Sequence, residues 1–438
     1  MRVVGRFLLA GCLVAAPFAI PSADAEILYE SQSEVPSVPG IDGITADKAA
    51  RANVALRAAA DAIRRKDLDT AEAQFRIATQ VAPTAPNGFL GLAEVARRRG
   101  DKAGVAKSLS EALKVAPSSS DANAAWARYL LTRGDVSGAI THLDTAIRAD
   151  PNRVDLLIEE GDLQASVHHE TEAATDYRAA LATVPKNAAL HYALGNALLA
   201  SGQSEEAIVE LKTAVDLEPK NVLGWSALGA AHLHAGQLDA ALASFDAALK
   251  VKPDFLGAEI GRGDVLAMRG KIGEARAAYE AGAKMAPLSD IAWLRLGVLE
   301  EHQHHLADAE QDYRAARRAR PGDPDTINNL AYVLAAEGHD LDEALALAKQ
   351  ATRIAPKNPN YDDTLAEIYR ARHDYPDAVN TLKPIAQGRP ILLYHLGLAY
   401  RDSGNKAKAG QAFDAALKLL PNFRAAKAAR DSLSGPAD

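Results

Sequence analysis

The 438-residue chain has one cysteine, Cys12, three methionines and only 5% aromatic residues. A lone thiol forms no intramolecular disulfide, so neither a covalent staple nor paired-thiol redox chemistry is open to this chain. With so few rings, alanine must do much of the close packing. Beyond the N-terminal stretch there is no second apolar run of membrane-spanning length. A glycine-rich phosphate loop, a nucleophile elbow and the HExxH metal spacing are also missing. Basic excess is lacking: 49 Lys and Arg stand against 57 Asp and Glu, a formal charge of −8. Phosphate backbones are bound by clustered Lys and Arg, so nucleic acid is not an expected partner. Catalysis is not expected either, and no cofactor is implied.

What the chain does have is evenly spaced proline. Pro83, Pro117, Pro151, Pro185, Pro219, Pro253, Pro287, Pro321, Pro356, Pro390 and Pro421 are separated by seven intervals of 34 residues, then by 35, 34 and 31. Such a period signals stacked copies of one small helical unit rather than a single globular core. Aligned on the prolines, repeats start at residues 52, 86, 120, 154, 188, 222, 256, 290, 324, 359 and 390. The unit from Val222 reads Trp225, Leu228, Gly229 and His232, then Gly236, then Ala241, Phe245, Ala248 and Pro253. Its fourth, seventh and eleventh places share one face of a 3.6-period helix. A small eighth residue lets a second helix approach. Gly229 corresponds to Ala127 and Ala331, so glycine and alanine are expected to interchange there. Glycine at the fifteenth place ends the first helix in the left-handed conformation, and the terminal proline stops the second.

This pattern resembles the tetratricopeptide repeat family over residues 52–423. The resemblance implies an all-α, right-handed superhelical solenoid of about eleven helix-turn-helix repeats. Residues 424–438 are read as a capping helix and tail, with Phe423, Ala426, Ala429 and Leu433 turned inward. The tenth unit is the expected irregularity. Asp374 is placed to cap its second helix, which Pro384 should end or bend between Lys383 and Gly388.

The N-terminus reads as a targeting signal: Arg2 and Arg6, an apolar stretch from Phe7 to Ile20, and the small-x-small site Ala23-Asp24-Ala25. Residues 1–25 are the expected signal peptide, cleaved after Ala25 to give a periplasmic chain. Residues 26–51 follow as a flexible N-terminal segment. Leu9-Ala10-Gly11-Cys12 also spells a lipobox, which would make an outer-membrane lipoprotein anchored at Cys12; membrane contact is expected only in that case.

Histidines are the conspicuous chemical candidates. His302, His304 and His305 lie at the turn of the eighth unit, and His168 and His169 at the equivalent turn of the fourth. Imidazoles this close could hold zinc or copper, while turns also tolerate exposed polar residues; no metal site is assigned. The resemblance further implies that the first helices line a concave groove. The partner-binding residues it points to are Tyr192, Asn196, Ser226, Asp264, Asn328, Tyr332 and Tyr394. Tyr and Asn suit peptide contacts, through area and backbone-like amides. The expected function is a noncatalytic scaffold that docks envelope proteins or an extended peptide segment. The alternative is a carbohydrate-binding or carbohydrate-processing accessory, whose mark would be aromatics along the groove.

Overall fold

The computed structural model describes residues 45–356 and 358–433. The signal peptide, Cys12, most of the N-terminal segment and the last five residues lie outside the described residues. Among the described residues there are only helices, and none is long and apolar enough to cross a membrane. They fall into two bodies. Residues 45–237 form α1 (Ala46–Arg64), α2 (Leu68–Val81), α3 (Asn87–Arg98), α4 (Lys102–Val115), α5 (Ser120–Thr132), α6 (Val136–Ala149), α7 (Val154–Ser166), α8 (Glu170–Thr183), α9 (Ala188–Ala200), α10 (Ser204–Leu217) and α11 (Val222–His234). Residues 238–433 form α12 (Leu238–Val251), α13 (Leu256–Met268), α14 (Ile272–Met285), α15 (Asp290–His302), α16 (Leu306–Ala319), α17 (Pro324–Glu337), α18 (Leu341–Ile354), α19 (Pro359–Ala371), α20 (Tyr375–Leu382), α21 (Pro390–Asp402), α22 (Lys406–Leu419) and α23 (Arg424–Ser432). Within each body, the two helices of a proline-bounded repeat pack as a hairpin and successive hairpins stack.

Capping chemistry sets the boundaries. Side-chain oxygens of Asp101, Asp135, Asn187, Asn221 and Asn405 accept the backbone N–H three residues on, satisfying a donor that the helix start leaves unpaired. The first repeat corrects the sequence reading. Its helix begins at Ala46, not Ala52, because Thr45 caps it and six further residues continue the alanine-rich pattern. Residues 46–51 are therefore helical and do not belong to a flexible segment. At the fifteenth place Gly100, Gly134, Gly202, Gly236, Gly270, Gly338 and Gly404 all have φ between 72° and 83°. Lys66, His168, His304 and His373 hold the same place with φ of 60–65°.

Volume is balanced between the eighth and twenty-fourth places. Alanine faces leucine in Ala93 and Leu109, Ala127 and Leu143, Ala331 and Leu347, and Ala366 and Leu382. Glycine faces a ring in Gly161 and Tyr177, Gly263 and Tyr279, Gly297 and Tyr313, and Gly397 and Phe413. A Cβ on Gly297 would sit 2.6 Å from two ring carbons of Tyr313. The rule has exceptions, since the first repeat sets Ala59 with Phe75 and the fifth sets Gly195 against Leu211, but at Gly297 the ring leaves no room for a Cβ. Gly297→Ala should cost about 1 kcal/mol and Gly297→Leu about 3 kcal/mol by overpacking. Urea titration of the two variants tests this; wild-type stability in the alanine variant would show that the ring yields freely.

Successive repeats are tied by recurrent polar contacts. From the fourth place, Asn123 Nδ2, Trp225 Nε1 and Trp293 Nε1 donate to the carbonyls of Pro117, Pro219 and Pro287 at 2.8, 2.9 and 3.3 Å. His191 Nε2 meets the Pro185 carbonyl at 3.0 Å. At the fourteenth place Arg99 bonds Asp69 at 2.5 Å, and Arg269 pairs with Asp239. First helices of adjacent repeats also approach one another, as α9 does α11 and α17 does α19.

The tenth repeat is irregular where expected. Its second helix, α20, has only eight residues and stops at Leu382. Pro384 has no N–H to continue the ladder; Ile385 and Ala386 both donate to Leu382 O, and Gly388 turns the chain at φ 75°. Asp374 does not cap α20 with its side chain; the carboxylate is held instead by Arg372 at 3.2 Å. At the C-terminal end, Ala429 of α23 packs with Leu398, Ala409 and Phe413, and Leu433 lies against the same cluster.

Candidate functional site

In the first body the first helices carry Tyr192, Asn196 and Ser226, and in the second they carry Asp264, Asn328, Tyr332 and Tyr394. In each body, the charged residues on the first-helix face are largely spent on holding repeats together. Arg128 of α5 donates to Glu159 of α7 at 2.7 Å, with both side chains at most 15% exposed. Arg295 of α15 donates to Asp264 of α13 at 2.9 Å, and Tyr279 Oη donates to the same oxygen at 2.7 Å. His395 of α21 meets Asp363 of α19 at 2.5 Å, and Arg370 bonds Asp402 at 2.8 Å. Tyrosines at the twenty-fourth place serve the same face: Tyr177 donates to Asp162 and Tyr313 to Glu301, each at 2.7 Å. Burial pushes the Asp162 carboxyl above its ordinary range, although the tyrosine hydrogen bond opposes the shift.

Two expectations are corrected. Asp264 does not face solvent; it is 5% exposed and is the acceptor at the centre of the Tyr279–Arg295 network. Asn328 is fully buried, and neither its Oδ1 nor its Nδ2 has a partner among the described residues. Such an amide lies in the packing between helices, at a desolvation cost of about 1–3 kcal/mol. Tyr394 is half-buried, with its ring 5.1 Å from Phe423, 5.4 Å from His395 and 5.9 Å from Phe413. Tyr332 is half-buried and lines a 290 Å³ cavity with Thr364, Glu367, Ile368 and Arg370 of α19.

The remaining three residues sit together in the first body. Tyr192 and Asn196 occupy successive turns of α9, and Ser226 lies on α11, the next first helix. All three are half-buried, and none has a hydrogen-bond partner among the described residues. They form a small polar and aromatic patch between stretches where polar groups are paired.

The histidine turns have a structural explanation. Eleventh and sixteenth places bond across the turn in three repeats: Gln164 with His169 at 2.9 Å, His232 with Gln237 at 2.8 Å, and Glu300 with His305 at 2.8 Å. His168, His304 and His373 take the left-handed place that glycine fills elsewhere. Glu300, His305 and Asp308 lie close enough to share a cation, as do Asp363, Glu367 and His395. Glu300 is already held by Arg276 at 2.7 Å and Glu367 by Arg370 at 2.9 Å. These clusters are therefore charge-compensated by arginine. Because a left-handed non-glycine residue is strained by about 1–2 kcal/mol, His304→Gly should stabilise the second body by about 0.5–1 kcal/mol. A thermal melt that falls on this substitution would assign the imidazole a stabilising contact that outweighs the strain.

A tetratricopeptide repeat profile matches residues 90–154, 124–188, 158–211, 192–254 and 260–324, and a second matches residues 390–423. Among curated proteins, none matches the chain. Solved structures similar to this one include the Cut9–Hcn1 hetero-tetramer of the APC/C, at 15% identity and TM-score 0.49, over 88% of this chain and 96% of that one. Yeast Tom70 is similar at 16% identity and TM-score 0.44, over the same two shares. A tetratricopeptide repeat protein from Parabacteroides merdae is similar at 18% identity and TM-score 0.49, over 57% of this chain and 98% of that one. The profile matches span more than half of the chain, in the register that the prolines mark, and the chain belongs to the tetratricopeptide repeat family.

Proposed function

We propose that the protein is a noncatalytic protein–protein interaction scaffold of the bacterial cell envelope. It docks other envelope proteins, or an extended segment of one, in support of assembly or export machinery, with exopolysaccharide or biofilm-matrix export as the setting. The observation that carries the docking reading is the patch of Tyr192, Asn196 and Ser226. There, beside first helices whose arginines and acids are largely paired, an amide, a hydroxyl and a phenol have no hydrogen-bond partner among the described residues. An extended peptide offers such groups its own N–H and C=O. The envelope setting rests on the leader pattern of residues 1–25. A carbohydrate-binding role has less support. Trp225 and Trp293 turn their indole N–H groups to prolyl carbonyls, and Trp126 packs 5.3 Å from Tyr129.

The test is capture from the intact envelope with the full chain and a Tyr192→Ala, Asn196→Ala variant. If this patch anchors the partner, the double variant should lose about 1–3 kcal/mol of binding at unchanged helicity. Capture at full affinity by that variant would move the working surface elsewhere.

A further inference from the structure

The clefts between successive second helices are lined by three register places: the seventh and twenty-third of one repeat and the twenty-fifth of the repeat before. Between the first two repeats these are Leu92, Ser108 and Arg76, and they border a cavity of 440 Å³. Arg76 is paired there with Glu72 at 2.5 Å. Between the sixth and seventh repeats the seventh place is Arg262, whose guanidinium is held by Glu259 of its own helix at 2.5 Å and lies 4.0 Å from the twenty-fifth-place carboxylate, Asp246. In both clefts the chain supplies its own cation.

Between the third and fourth repeats the same places hold Glu160 on α7, Asp176 on α8 and Asp144 on α6. Leucine is the usual seventh residue, as in Leu194, Leu296 and Leu330, so a carboxylate here is out of pattern. Glu160 is 6% exposed. Neither it nor Asp176 makes a hydrogen bond or ion pair among the described residues. The charged groups that face Glu160 are Asp176 from α8 and Asp144 and Arg148 from α6; Asp176 also faces Glu172. Arg148, the one cation, bonds Asp144 at 2.6 Å and has a side chain 68% exposed. Burying an ionised carboxylate without a counter-charge is costly, and this cleft buries one beside two more.

We propose that this cleft is a socket for one basic side chain, lysine or arginine, of a partner protein. Charge complementarity selects the occupant, and the Arg262–Asp246 contact at the equivalent register is the intramolecular precedent for a guanidinium in such a cleft. Empty of a cation, the cleft holds protons: burial and its acidic neighbours push Glu160 up to about 8 and Asp176 up to about 7. An arriving ammonium or guanidinium takes the proton's place, so its binding strengthens as pH rises. The socket uses none of Tyr192, Asn196 and Ser226, so either reading can fail without the other.

The test is a titration of the full methyl-labelled chain with Ac-Gly-Arg-Gly-amide, Ac-Gly-Lys-Gly-amide and the uncharged citrulline analogue. The arginine and lysine peptides should shift methyl signals of α6, α7 and α8, with affinity falling about tenfold in Glu160→Gln and Asp176→Asn. The same affinity should weaken between pH 8.5 and 6, and the citrulline peptide should not bind. Unchanged affinity in both variants, or equal binding of citrulline, overturns the proposal. So does saturable binding of Ca²⁺ or Mg²⁺ that excludes the peptides, which would make this a metal site. Because Glu160→Gln is isosteric and Glu160→Leu restores the usual residue, loss of fold does not obscure the result.

Discussion

Arg295→Ala should destabilise the body formed by residues 238–433 by about 3–5 kcal/mol, the range for removing one partner of a buried ion pair. The Asp264 and Arg295 side chains are only 7% and 8% exposed, and the carboxylate would keep just one of its named donors, the Tyr279 hydroxyl. Much of the cost is the stranded charge rather than the lost attraction. Replacing the whole network with Asp264→Leu, Arg295→Met and Tyr279→Phe should therefore recover most of the loss, since well-packed apolar substitutes can match a buried pair. Trp293, two residues away on α15, is a local fluorescence reporter for urea unfolding. This matters because a repeat array need not unfold in one step. A cost under about 1 kcal/mol for Arg295→Ala would mean that water reaches the site and screens it.

The second large effect is an inverted pH dependence. Glu160, Asp176 and Asp312 are pushed to about 8, 7 and 7, in each case first by burial and then by neighbouring carboxylates. Between about pH 4.5 and 8 the folded chain holds protons that the unfolded chain has already released. Stability must therefore fall as pH rises through that window. At 1.36 kcal/mol for each unit, Glu160 contributes on the order of 5 kcal/mol across it. Among opposing carboxylates, Asp155 and Glu343 are lowered by arginine partners, and Asp402, which burial pushes up, is brought below its ordinary range by Arg370 and Arg401; these lose their contribution only in more acid solution. The chain should be most stable near pH 5–6 and distinctly less so at pH 8.5. Glu160→Leu should flatten the profile and raise stability at pH 8.5. Calorimetric scans at the two pH values check this; a wild-type Tm that is higher at pH 8.5 would contradict it.

The repeat boundaries were legible because each rests on local chemistry. A proline ends a helix, a residue at the fifteenth place reverses the chain, and an Asp, Asn or Ser begins the next helix. That is why nine of the eleven expected starts coincide with observed helix starts and a tenth is one residue off. The early start of α1 is not legible because no proline at the repeat spacing precedes it; Pro36 and Pro39 lie off the register. The tendency of glycine to face a ring and alanine to face leucine at the eighth and twenty-fourth places is also in the sequence, with Ala59–Phe75 and Gly195–Leu211 as exceptions. The role of the histidines stayed open in the sequence because it displays an imidazole's ligand chemistry but not the backbone conformation it occupies.

What the amino-acid order determined by itself is the period, the two-helix unit, the small residues that let helices meet and the family. These follow from torsional preference and side-chain volume, which act over a few residues or recur at a fixed spacing. Only the tertiary structure decided which polar groups are free to bind. Arg128 and Glu159, Asp264 and Arg295, and Asp363 and His395 lie 31 or 32 residues apart. Their pairing depends on how one first helix is set against the next. The same arrangement buries Asn328 and Asp264, leaves Tyr192, Asn196 and Ser226 without hydrogen-bond partners among the described residues, and encloses Glu160 among acids. A polar residue on a helix reads alike in sequence whether its charge is met by a neighbour, by water or by nothing, because that outcome is set by distance and desolvation in the assembled stack.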